Sequence, residues 1–182
     1  MNIVEPIRDT DKIKEIHSFL QEKNSRDALL FSFGIYTGLR ISDILNYKVK
    51  DCVKRGYSIR EKKTGKQKIY DWNPHLKKEI DVYIQNKSLD EYVFRSRKGH
   101  NKPISRNRAY AIIKRACNAC GEFNIGTHTM RKTFGYFMYK LSRNNIAMLM
   151  QIYNHSSEII TLRYIGITRE QSNNIIKKMR FF

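Results

Sequence analysis

Apolar residues recur at helical spacing over most of this chain and alternate like strands only in its middle. Ile13, Ile16 and Leu20 share one face of a helix that the pattern starts after Thr10. Ser25 is placed to cap a second helix, in which Leu29, Leu30, Phe31, Phe33 and Ile35 leave almost no polar side. A helix without a wet face belongs at the centre of the molecule, and Gly38 is placed to end it. Tyr57-Ser58-Ile59-Arg60 and Gln67-Lys68-Ile69-Tyr70 alternate with period two. They predict a hairpin with Lys63-Thr64-Gly65-Lys66 at its turn. Tyr92-Val93-Phe94 predicts a third short strand.

A helix from about Pro74 to Gln85 follows the hairpin, with proline in its first turn. Ser105 caps a helix running to Cys120, which Gly121 ends. Thr127 is placed to cap the next, where Met130, Phe134, Phe137, Met138 and Leu141 form an apolar stripe. Ile146 to Tyr153 reads as another helix, and a short one follows Ser156. Thr168-x-x-Gln171 reads as a capping box opening a last helix that carries Ile175, Ile176 and Met179. The expected class is mainly α with a small antiparallel β-hairpin or three-stranded sheet. No repeat or Pro/Gly/Ser linker divides the chain. Its 182 residues suit one domain with a real core better than two.

Charge narrows the function. A formal net charge of +18 implies a polyanionic partner, nucleic acid first. The basic residues are spread along the chain and do not gather on one amphipathic helix, which argues against a membrane-surface protein. No targeting segment opens the sequence, and no apolar run approaches the ~20 residues of a membrane span. A cytoplasmic, nucleoid-associated protein is expected. The three cysteines, Cys52, Cys117 and Cys120, read as free thiols. Cys117-x-x-Cys120 has no second ligand pair for a closed zinc site and falls in a helical pattern, so packing explains it better than metal or redox chemistry.

Five positions and one basic tract attract attention for their chemistry. His128 and Arg131 lie one helical turn apart beside Gly135, which removes bulk; a solvated polar face is the alternative. Arg40 leaves the most apolar helix after Thr37-Gly38-Leu39, suited either to hold a phosphate with its guanidinium fork or to satisfy the helix carbonyls. His155 precedes a helix start at Ser156-Ser157, where anions are favoured. Tyr164 ends that helix. The tract Lys62-Lys63-Thr64-Gly65-Lys66 is either a solvated turn or a tip that delivers one ammonium.

In order, Thr37-Gly38-Leu39-Arg40-Ile41-Ser42-Asp43, Lys63-Thr64-Gly65, His128-x-x-Arg131, His155-Ser156-Ser157 and Thr161-x-x-Tyr164-Ile165 closely resemble the tyrosine recombinase (phage integrase) family. The resemblance runs from about Ser25 to Thr168 and implies that family's catalytic-domain fold. It implies that Tyr164 is a nucleophile that joins a DNA 3′ phosphate and releases a 5′ hydroxyl, without metal, ATP or other cofactor. It casts Arg40 and Arg131 as forks on the non-bridging oxygens and Lys63 as proton donor to the leaving oxygen, although which lysine of the tract acts stays open. His128 would help to take the tyrosine proton, and His155 would donate a hydrogen bond to the phosphate. Lys66, Arg106, Arg108, Lys114 and Arg115 are candidates for double-stranded DNA.

Residues 1–182 are expected to form one catalytic domain without the family's N-terminal core-binding domain. The helix from about 168 to 182 is open either to exchange between protomers or to folding back. Gly166 would be its hinge, and Ile175, Ile176, Met179 and Phe182 would dock. Self-assembly as a tetramer on DNA and an accessory DNA-bending or core-binding partner are expected. The expected function is site-specific recombination of integrase or invertase type. The competing readings are a non-catalytic or partner-dependent DNA-binding protein on the same fold and a basic RNA-binding protein.

Overall fold

The computed structural model describes residues 4–60, 67–126 and 128–180. The predicted hairpin turn with Lys63 and Lys66, and the proposed cap Thr127, lie outside them. Helix α1 (Thr10–Lys23) starts at Thr10 itself, because the Asp9 carboxylate accepts from the Asp11 and Lys12 N–H groups. Helix α2 (Ser25–Thr37) is capped by Asn24 and not by Ser25. Asn24 also closes α1, and its extended backbone turns the chain between the two. As its all-round apolar pattern predicts, α2 is central, packed against α1, α5 (Pro74–Ile84), α6 (Arg106–Ala119) and α7 (Thr129–Leu141). Leu29, Leu30, Phe31 and Phe33 have no exposed surface. Gly38 ends α2 in the left-handed region at φ 62°, where a Cβ would clash with Phe134 of α7.

Two short helices, α3 (Ile41–Leu45) and α4 (Val49–Cys52), lead into the hairpin of β1 (Gly56–Arg60) and β2 (Gln67–Asp71). The strands pair antiparallel from Gly56 opposite Asp71 to Arg60 opposite Gln67. Among the described residues this sheet has two strands, and the expected third does not form. Tyr92 makes only an isolated bridge to Lys48. The reason is that the segment serves two loops: Val93 N–H donates to the Tyr47 carbonyl, and the Phe94 carbonyl accepts from Ile104. Val93 and Phe94 are both fully buried, so the period-two exposure of a surface strand is absent.

Asn73 caps α5, and Ser105 caps α6 by accepting from the Arg108 N–H. Cys117 packs on the inner face of α6, and Cys120 is its C-cap. Both are free and buried, and burial pushes the Cys117 thiol up to about 12. On α7 the predicted stripe holds only in part. Met130 is buried, but Leu141 is 82% exposed. The buried set is Thr129, Met130, Arg131, Thr133 and Gly135. α7 is covered on two sides, by α2 through Met130 and by the following helices through Gly135. A Cβ at Gly135 would clash with the Tyr153 hydroxyl and Ile165.

The chain then forms α8 (Ile146–Tyr153), α9 (Glu158–Tyr164) and α10 (Ile167–Ile176) around a second apolar cluster of Leu149, Ile152, Tyr153, Ile165 and Ile167. α10 begins directly after Gly166, which sits at φ 77°. Thr168 is therefore inside the first turn, and its expected capping box does not form. The described part of α10 folds back on its own chain. Arg169 pairs with Glu5 at 2.9 Å, Lys140 with Glu170 at 3.1 Å, and Arg8 bridges Glu5, Glu170 and the Gly166 carbonyl. No described helix is long and apolar enough to cross a membrane.

Candidate active site

Arg131 is the centre of the site. It lies on α7 and is only 5% exposed, so the solvated polar face considered for it is not what the fold makes. Its guanidinium lies 4.2 Å over the Tyr153 ring and donates to the carbonyl of Gly38. The Tyr153 hydroxyl in turn donates to the Arg131 carbonyl at 2.6 Å. The left-handed turn at Gly38 thus delivers a carbonyl to Arg131 and sends the next residues, Leu39 and Arg40, toward the same place. Among the described residues no carboxylate pairs with Arg131 or Arg40. A buried cation without its anion is costly, so the arrangement is built for an anion from outside.

Such an anion has a place to sit. A cavity of about 310 Å³ is lined by Arg40, Ser42, Arg106, Asn107, Tyr110, His128 and Arg131, with Ile41 as its one apolar residue. Among the described residues no acidic side chain lines it. His128 stands where α7 begins, and its Nδ1 lies 3.2 Å from the Tyr164 hydroxyl, at the end of α9. His155, between α8 and α9, has its ring 5.4 Å from that of Tyr164 and 5.5 Å from that of Tyr153. Arg40, His128 and Arg131 thus line the cavity, and Tyr164 and His155 adjoin them through His128 and Tyr153, so that five of the six candidate residues gather from four separate stretches of chain. Lys63 lies outside the described residues.

The electrostatics are consistent with a tyrosine that must be activated. Burial raises the Tyr164 hydroxyl above its ordinary value, and Arg131 and Arg40 pull it back only in part. Burial lowers His128, helped by Arg131, Lys132 and Arg40, and lowers His155, helped by Arg131 and Arg40. At neutral pH both imidazoles are then neutral. His128 can accept a proton from a hydroxyl that does not ionise unaided.

A family model described as the phage integrase family matches residues 8–171. The chain belongs to the phage integrase family. Within it, the chain is 46% identical over 178 residues to the "Probable integrase/recombinase YoeC" of Bacillus subtilis (strain 168), covering 97% of each. It is 26% identical over 162 residues to a tyrosine recombinase of Pseudothermotoga lettingae, covering 86% of this chain and 55% of that one. Family members thus include proteins of this length and others more than half as long again. Among solved structures, the XerA recombinase superposes with a TM-score of 0.69 at 20% identity over 98% of this chain and 67% of its own. A lambda integrase dimer bound to a COC′ core site gives 0.69 at 16% identity over 92% of this chain and 49% of its own. The integrase fold predicted from the residue pattern is therefore the fold observed.

Three further residues join the site without having been given a role from the sequence. Tyr153 supports Arg131 and touches both His155 and Tyr164. Lys132 lies 5.3 Å over the Tyr164 ring and donates to the Val4 carbonyl at 2.6 Å. Thr161 bonds His155. Tyr153 left a trace in the sequence as an aromatic closing an apolar helix two positions before His155, and Thr161 as the start of the motif that ends in Tyr164; Lys132 left none. Of the candidates for DNA, Arg106 lines the active-site cavity. Arg108 and Arg115 line a larger basic hollow with Lys23, Lys98 and Lys102, and Lys114 covers the Tyr110 ring.

Proposed function

We propose that this integrase-family chain cleaves and rejoins DNA strands at specific sites through a tyrosine–DNA 3′-phosphate intermediate. The observation that carries the proposal is Arg131, a buried guanidinium without a carboxylate among the described residues. It stands beside a tyrosine hydroxyl that is hydrogen-bonded to a neutral histidine. In the forward step the Tyr164 oxygen bonds to phosphorus and its proton passes to His128 Nδ1. The bond to the 5′ oxygen breaks, and that oxygen takes a proton from Lys63. Arg40 and Arg131 neutralise the charge that grows on the non-bridging oxygens, with fixed fork geometry. Rejoining reverses each transfer with a partner strand's 5′ hydroxyl. Phosphodiester bond energy is retained in the linkage. Flanking phosphates fall to Arg106, Arg108, Lys114, Arg115 and Lys66, and assembly as a tetramer on DNA completes the reaction.

The test is a nicked suicide duplex carrying the sequence that flanks the protein's own coding region. On a denaturing gel the wild type is expected to give a covalent protein–DNA band. Tyr164→Phe is expected to lose the band and keep DNA binding. A band that survives Tyr164→Phe would overturn the assignment of the nucleophile.

A further inference from the structure

His155 meets its own chain through Nδ1, which lies 3.1 Å from Thr161 Oγ1. Thr161 has no exposed surface, and its hydroxyl donates its single proton to the Ser157 carbonyl at 2.9 Å. An oxygen whose proton is spent on a carbonyl can only accept from the imidazole. Nδ1 must then carry a hydrogen, and in a neutral ring Nε2 is left as a bare lone pair. The ring has little freedom to turn over, because Tyr153 and Tyr164 stand against it with centroids 5.5 Å and 5.4 Å away.

We propose that Thr161 is a positioning residue that fixes the tautomer of His155, so that His155 donates a hydrogen bond to the scissile phosphate only as an imidazolium. The proposal rests on the function proposed above and on the expectation, implied by the family resemblance, that His155 donates to that phosphate. Among the described residues, the titratable or charged groups that face the ring are Arg131 from α7, Arg40 from the turn after α2, Tyr153 from α8 and Tyr164 from α9. None of them is an anion at neutral pH. In the free protein, burial and the two guanidiniums keep the ring neutral. An arriving phosphate reverses that balance, and its negative charge grows on the way to the pentacoordinate state. The ring then takes one proton from solvent and returns it when the phosphate leaves. Cleavage therefore needs His128 without its proton and His155 with both of its own.

Two measurements test this. The first is long-range proton–nitrogen NMR of the free wild type at neutral pH, with the His155 signals identified by their loss in His155→Gln. Nε2 is expected without a hydrogen and Nδ1 with one. The reverse pattern overturns the proposal, and this reading needs neither DNA nor activity. The second is the pH dependence of single-turnover cleavage on the nicked duplex. Above the pKa of DNA-bound His155, wild-type cleavage is expected to fall about tenfold per pH unit. Thr161→Ser is expected to keep that alkaline fall. Thr161→Val frees the ring to carry its hydrogen on Nε2, so its profile is expected to flatten. A Thr161→Val profile parallel to the wild type would reduce Thr161 to a packing residue. Absence of any Tyr164-dependent band would instead refute the proposed activity and leave the NMR result standing on its own.

Discussion

Arg131 combines a stack on Tyr153, a bond to the Gly38 carbonyl and a face toward the cavity. A lysine keeps the charge but not the planar fork, so Arg131→Lys is expected to lower the cleavage rate on the order of 100-fold. A thermal melt checks that the variant is folded. In the proposed reaction His128 takes the tyrosine proton only when neutral, and its pKa is lowered by burial and by Arg131, Lys132 and Arg40. The acid limb of the kcat/KM profile, which reports the free protein, is therefore expected below the ordinary histidine value of about 6.5. The same shifts bear on stability. Unfolded histidines take up protons near pH 6.5, whereas folded His128 and His155 do so at lower pH. Between those values the unfolded chain binds more protons, so stability falls as pH drops below about 6.5. A Tm that drops there in the wild type, and drops less in the double variant His128→Gln, His155→Gln, is the expected outcome.

Between elements, the decisive contact is the close approach of α7 to α8 and α9. Gly135 permits it, because Tyr153 and Ile165 occupy the space that a Cβ would need. Gly135→Ala is expected to destabilise the fold by about 1–3 kcal/mol. It is also expected to reduce cleavage more than that loss explains, because the displaced Tyr153 supports Arg131 and borders His155 and Tyr164. Denaturant unfolding and the covalent-band assay, run on the same variant, separate the two effects. At this scale the sequence was informative about where helices lie and less so about what caps them. Ser25 and Thr168 have the chemistry of caps, but each fell inside a helix, because Asn24 and the left-handed turn at Gly166 broke the chain one or two residues earlier. The Tyr92–Phe94 segment has strand composition, yet its hydrogen bonds go to two loops.

For the molecule as a whole, α6 separates the active-site cavity, reached by Arg106, from the larger basic hollow, reached by Arg108 and Arg115. If six to ten phosphates are met in this way, DNA affinity is expected to fall about 10³- to 10⁵-fold between 50 and 200 mM salt. Arg108→Glu with Arg115→Glu is expected to flatten that dependence in a binding titration. The central place of α2, the two hairpin strands and the candidate residues of the site were all legible in the sequence alone. They depend on composition, on periodicity and on an ordered set of side chains, which are properties of the chain taken locally. Only the tertiary structure decided that Arg131 is buried, that Tyr153 stacks on it, and that the described part of α10 lies against Glu5, Arg8 and Lys140. Those facts depend on residues far apart in the chain, as with Arg131 and the Gly38 carbonyl. A local pattern cannot show which distant group will neutralise, stack on or orient a given side chain.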